Sequence, residues 1–418
     1  MIQSAKRLEK FFNHLLVFLL PTQLALHFWP PTAFVFGIRV DYLAPTLYLT
    51  DVLFLTLFMV WVRGNYKSLF SFIERNKVFL FLLVVLAVVN ITFSTSVFPS
   101  VYKWVKIGEL VIFYFYLKAR KDIFNSKVML STLYYSLIFF SFIGISQFIL
   151  GRTLGGPLYL LGERNFSASK PGIALVDLFD RIYMRAYSTF SHPNSFAGYI
   201  GLGLIPLLLT YSKKEIVKRS LGIGIICLAF LLTFSLSAFI GVTLCAVLIF
   251  FIRKNLFDRR FLVFVPSLFL LVSLTLPFIS SIILNNKIDL PQNISQRVYL
   301  SSVAGSIISQ KFLTGIGLNT FVIKEPQTKV LSAYKWILQP VHNIFLLIFS
   351  EVGIFGLILV YLLMVKQNRE ALLLNNKIFY LGLIFILVTG LTDHYWFTLQ
   401  QNMLLLVIVL GNSFRVKR

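Results

Sequence analysis

Two arginines and a histidine carry the most chemistry in this chain. Arg185 stands in RAYSTFSHPNSFAGY, just ahead of a long apolar run. A guanidinium at a helix start can fork onto phosphate oxygens while the free N–H groups of that helix face the same anion. The plainer role at such a place is a lipid-headgroup anchor. His192-Pro193-Asn194 reads as helix-start punctuation, with Pro193 in the first turn. Arg297 lies in a polar segment with Lys287, Lys311, Lys324, Lys329 and Lys335, against only Asp289 and Glu325. Such an excess suits a bound anion or a solvated basic loop. His342 opens VHNIFLLIFSEVGIFG and is the type of group that takes a proton from a hydroxyl near neutral pH. Glu351 follows nine residues on, about 13.5 Å along a helix and half a turn around it, so the two share no face. Gly353 and Gly356 in the same run permit close helix packing.

A second set lies inside an apolar stretch. Lys103, Lys106 and Glu109 recur at intervals of three and share one helix face. Lys106–Glu109 is the plain internal pair, and Lys103 could reach a lipid diphosphate. Glu351 must pair or be protonated, because a lone intramembrane carboxylate is expensive. These three, Glu351, Lys106 and Glu109, read as structural polar groups. Asp393-His394-Tyr395 is a further polar group at the penultimate turn. No Asp-x-Asp, no His/Asp/Cys run of metal-ligand spacing and no Walker-type loop is present, so neither a metal site nor ATP is expected.

The elements that position these residues are membrane helices. A mean hydropathy of +0.82 with 57% hydrophobic residues excludes a soluble domain of this size. Apolar stretches fall at 11–29, 46–62, 78–94, 100–117, 128–150, 188–211, 220–234, 235–252, 261–284, 342–365, 377–393 and 396–414. The break between the seventh and eighth falls at Ser235 and Ser237. The expectation is an all-α integral membrane protein of about 12 transmembrane helices, one polytopic domain over 1–418. No cleavage site follows the first stretch, which reads as a retained helix. Basic clusters recur in every second gap, as at Arg63 and Lys67, Lys118 and Arg120, and Lys213 and Lys214. Positive loops stay in the cytoplasm, so both termini are expected inside and the loops 151–187 and 285–341 outside, carrying the active site. The net charge of +23 serves orientation and anionic-lipid contact rather than nucleic acid. Within 151–187, residues 173–183 fit an interfacial helix or paired strands. Within 285–341, PQNISQRVYLSSVAGSIISQ reads as an amphipathic helix and TGIGLNTF as a glycine turn. Cys227 and Cys245 both lie in apolar stretches and suggest no disulfide.

In order and spacing, RAYSTFSHPNSFAGY, TFSLSAF, ISQRVYLSSVAGSIISQKFLTGIGLNTF and HNIFLLIFSEVGIFGL resemble the O-antigen ligase and O-antigen polymerase superfamily over roughly 181–365. The resemblance implies a GT-C-like membrane glycosyltransferase. It would take an undecaprenyl-diphosphate-linked glycan as donor and work without metal on the outer face of the cytoplasmic membrane. The acceptor would be a lipid-, glycan- or protein-linked hydroxyl. It places Arg185 and Arg297 on the donor diphosphate and His342 on the acceptor hydroxyl, so these three are the expected catalytic residues. Lys103 is a third expected contact to the diphosphate. Leu236 stands where the family commonly has an arginine. Fixed cations suit a leaving diphosphate, and inversion at the anomeric carbon is expected because no nucleophilic carboxylate is evident. The competing class is a transporter or flippase of lipid-linked glycans, which would use Lys103, Lys106 and Glu351. The two long loops and the lack of a repeat favour the enzyme.

Overall fold

The computed structural model describes residues 2–124, 126–253, 264–330, 334 and 337–411. Lys335 of the basic loop above lies outside the described residues, as do Lys254, Arg259 and Arg260 after the eighth apolar stretch and Arg415, Lys417 and Arg418 after the twelfth.

The chain is mostly helical. The long helices are α1 (Ile2–Phe18), α2 (Leu49–Arg75), α3 (Lys77–Thr92), α4 (Val97–Ala119), α5 (Lys127–Leu150), α6 (Pro193–Thr210) and α7 (Ser220–Leu231). They continue as α8 (Leu236–Arg253), α9 (Val265–Asn285), α10 (Gln292–Gln310), α11 (Ile344–Leu373), α12 (Lys377–Gly390) and α13 (Gln400–Leu410). Among the described residues α5, α6, α9 and α11 are long and apolar enough to cross a bilayer, and α3, α7, α8, α12 and α13 are shorter apolar helices. One large apolar core joins most of them, centred on α6, α12 and α13. Most of the exposed side chains of α3 and α9 are apolar, including Phe81, Val84, Val88, Leu271 and Phe278. Exposed faces of that kind suit lipid rather than water.

Local chemistry sets the helix starts near the cavity. His192 caps α6, its ring nitrogen accepting from the Asn194 N–H, and Pro193 fills the first position, where no N–H is needed. Asn343 caps α11 by accepting from the N–H groups of Phe345 and Leu346, both at 3.0 Å. Residues 232–235 break α7 from α8, as expected at Ser235, whereas Ser237 lies within the first turn of α8.

The first span expected from sequence, 11–29, is corrected. Its helix is α1, which ends at Phe18, before Pro21, a residue that cannot donate a helical N–H. Ala25–His27 (β1) instead pairs antiparallel with Thr46–Tyr48 (β4), and between them Phe34–Val35 (β2) pairs with Ile38–Arg39 (β3). This first loop packs Ala33, Val35, Val40 and Leu43 against Val322 and Leu338. In the second loop the strands form rather than the helix: Leu175–Leu178 (β5) pairs with Arg181–Met184 (β6). Phe179 and Asp180 turn the chain with positive φ. The polar helix expected in 285–341 is α10, and the glycine turn follows it with Gly315 and Gly317 at φ +65 and +99.

Gly353 is not mainly a helix-packing residue. Its φ of +75 breaks α11, and a Cβ there would meet the Leu313 carbonyl oxygen. The glycine turn fills the break. The N–H groups of Ile316 and Gly317 donate to the carbonyls of Ser350 and Glu351, and that of Ile354 donates to Phe312.

Candidate active site

Loops from four parts of the chain enclose a cavity of about 1420 Å³. Arg185, Arg297, His342 and Lys103 all line it. The wall is not confined to the two loops expected from sequence. Tyr42 of the first loop, and Asp393 and His394 of the turn after α12, also face it.

The histidines meet at its centre. The rings of His342 and His394 are edge-to-face at 5.1 Å, and Tyr42 packs edge-on against His394 at 5.5 Å. His394 Nδ1 lies 2.8 Å from the Thr398 hydroxyl. His342 Nδ1 is buried with no hydrogen-bond partner among the described residues. Burial, followed by the charge of His394, lowers the His342 pKa to about 3. Burial likewise lowers His192 to about 4, and it lowers His394. All three rings are therefore neutral at pH 7, and a neutral imidazole can accept a proton. Burial opposes ionisation of Asp393, yet the facing histidines and the Asn194 amide hold its carboxyl below the ordinary carboxylate range.

Arg185 is tied into this centre. Its Nε donates to the Thr233 carbonyl at 2.6 Å and its NH2 group to Asn194 Oδ1 at 2.8 Å. The Asn194 amide then donates to Asp393 Oδ2 at 2.9 Å. A buried amide thus links the guanidinium to the carboxylate. Burial lowers the Arg185 pKa to about 10, which leaves it cationic at neutral pH. Arg297 projects from α10, and no hydrogen bond or ion pair to another described residue occupies it. Its charge acts on Arg185, His192, His342 and His394.

The intramembrane polar groups separate. Lys106 donates to Asp51 Oδ2 at 2.5 Å and to Glu109 Oε2 at 2.8 Å. Asp51 further accepts from Gln400 and from the Tyr48 N–H. Lys103, one turn earlier, meets the Met403 sulfur at 3.5 Å and the Phe397 ring at 5.9 Å, with no ion pair among the described residues. Glu351 points to the glycine turn, where Oε1 accepts from the Phe321 N–H at 3.0 Å.

Sequence reasoning passed over Asn194, read as punctuation, and Tyr42 and Asp51, which it did not single out. For Asp393 and His394 the Asp-His-Tyr turn was the available signal. Sequence spacing also hid one grouping. Ligand-type atoms of His342, Asp393 and His394 lie within 4.8 Å of one another, a set with the chemistry to hold a divalent ion.

Together these features describe a membrane protein with a polar, cation-rich cavity roofed by loops. Residues 221–361 match the family model described as O-antigen ligase, which supports a likeness to the O-antigen ligase and polymerase superfamily. The match takes in Arg297 and His342. Arg185, Lys103, Asp393 and His394 lie outside it, and geometry alone brings them to the same cavity. No curated protein matches the chain. The family supports O-antigen ligase-like glycan transfer, with a lipid-linked glycan and an acceptor as partners in general terms.

Proposed function

We propose that the protein transfers a glycan from an undecaprenyl-diphosphate-linked donor to an acceptor hydroxyl. It would do so at the extracytoplasmic face of the cytoplasmic membrane, as a GT-C-like, metal-independent, inverting glycosyltransferase with twelve spans and both termini cytoplasmic. The observation that carries this reading is the Arg297 guanidinium, unpaired among the described residues, lining the same polar cavity as the neutral His342 ring and acting on it electrostatically. Arg185 and Arg297 hold the diphosphate, and Lys103 is a third cation of the same cavity. Negative charge grows on the diphosphate as the anomeric C–O bond breaks, and fixed guanidinium groups stabilise it without reorganising. His342 takes the acceptor proton as the new glycosidic bond forms. The Asp393 carboxylate nearby favours the imidazolium that results.

The test uses purified protein with a lipid-linked donor and an acceptor, measuring donor binding and product on the same samples, with and without EDTA. Arg297→Ala should lower transfer by about 10²–10³, or about 3–4 kcal/mol, and should weaken donor binding. His342→Ala should keep donor binding and lose transfer. EDTA should change neither. Equal loss of donor affinity in both variants would move His342 to the donor site. Loss of activity in EDTA, restored by a divalent ion, would turn the His342–Asp393–His394 set into a metal site and end the metal-free mechanism.

A further inference from the structure

Lys103 is more than nine-tenths buried, and it lines the cavity. No carboxylate pairs with it among the described residues, and a thioether and a ring face are its close contacts. Glu351 is within electrostatic reach, but its Oε1 is taken by the Phe321 N–H. Buried cations are ordinarily paired, because an unpaired one loses its hydration without compensation. Lys106, one turn away, obeys that rule twice over with Asp51 and Glu109. The missing partner of Lys103 is therefore a property of the cavity wall.

Its placement also separates it from the arginines. Lys103 comes from α4 and rests on the Tyr395–Thr398 turn and α13, where its charge acts on His394. Arg185 and Arg297 come from the segment before α6 and from α10, and the charge of Arg297 acts on Arg185. Two forked guanidinium groups suit the oxygens of a diphosphate, whereas a single ammonium suits a singly charged anion.

We propose that Lys103 binds the carboxylate of an acidic sugar, so that the glycan handled at this site carries a uronic-acid-type residue close to the reacting centre. The proposal rests on the glycan-transfer reading and adds the substrate class to it. Lys103 is then a specificity residue rather than a third phosphate ligand.

The test uses the purified full-length protein and undecaprenyl-diphosphate-linked disaccharides with the same lipid and diphosphate. One carries glucuronic acid next to the diphosphate and the other carries glucose. A second arm keeps the glucose donor and offers glucuronic-acid or glucose acceptors, which tells whether the carboxylate belongs to donor or acceptor. The wild type should favour the acidic sugar in one arm. Lys103→Met should reduce the acidic-to-neutral ratio of kcat/KM by about 10- to 30-fold, the size of one lost charge-assisted contact. Lys103→Arg should restore part of that ratio. A ratio unchanged by Lys103→Met, with both substrates falling together, assigns Lys103 to the diphosphate and overturns the proposal. A wild type without preference in either arm overturns it too. Failure of the transfer reading looks different: no product would form from any donor, and Arg297→Ala would bind all donors as the wild type does. In that case the same disaccharide lipids still test the proposal by binding, where the acidic preference must again vanish in Lys103→Met.

Discussion

Lys103 and Lys106 lie one turn apart on α4, equally buried, and could hardly be treated more differently. Lys106 sits between two carboxylates, one of which a glutamine and a backbone N–H also hold. Lys103 faces the cavity with a sulfur and a ring as its close contacts. The difference teaches how to sort intramembrane charge. A group saturated by its own chain stabilises the fold, and one left open toward a polar cavity is available to a ligand. The two arginines repeat the contrast. Arg185 donates to Thr233 and Asn194, while Arg297 has no hydrogen-bond or ion-pair partner among the described residues.

The sharpest way to break this comparison is Lys106→Met. It leaves Asp51 and Glu109 facing each other without their cation, which should cost about 3–5 kcal/mol. Folded protein recovered in detergent should fall steeply, and Lys106→Met/Asp51→Asn should recover part of the loss. A Lys106→Met protein that melts like the wild type would show that pairing does not mark structural charge here.

Next in size is the arginine contrast. Both alanine variants should lose transfer, by about 10²–10³ each. Only Arg185→Ala should also lower the melting temperature, because it strands the Thr233 carbonyl and the Asn194 amide, at about 1–3 kcal/mol. Equal melting temperatures for the two variants would erase the distinction between a tethered and an open guanidinium.

How much of this was legible beforehand follows from the range of each interaction. Hydropathy marked most helices because bilayer crossing is a local property of about 20 residues. It misplaced the first, where Pro21 and pairing with a strand near Thr46 override an apolar stretch. Arg297 and His342 stood out because an excess of cations and a histidine ahead of an apolar run are visible in one dimension. Asn194, Tyr42 and Asp51 did not, since each acquires its role from a partner far along the chain: Asp393, His394 and Gln400 respectively. The glycine pair in SEVGIFG looked like a packing motif. Only the turn 312–317, returning to fill the break in α11, gives Gly353 its positive φ.

That break supplies a smaller test of the paired region. Gly353→Ala places a Cβ against the Leu313 carbonyl at a φ of +75, so the variant should lose about 1–3 kcal/mol. Gly108→Ala on α4 meets nothing within 4 Å and should melt as the wild type does. Similar melting of the two variants would mean that the turn and the break are not one interlocked unit.

The last test belongs to the histidines, which are neutral groups in the open region. His342 and His192 are held by burial at about 3 and about 4, against an ordinary value of 6.5. As the pH falls below 6.5, the unfolded chain binds protons that the folded cavity refuses. Stability is then complete above the ordinary value and declines toward pH 4, by at most about 1.4 kcal/mol per pH unit for each ring. Melting temperature should therefore fall between pH 7.5 and pH 5, and His192→Asn, which keeps a capping side chain on α6, should flatten the decline. The diphosphate should oppose it, because an anion beside His342 and His192 favours their protonated forms. If melting is independent of pH without ligand, the rings take up protons in the folded state. Their neutrality, on which the role of His342 as proton acceptor depends, would then fail first.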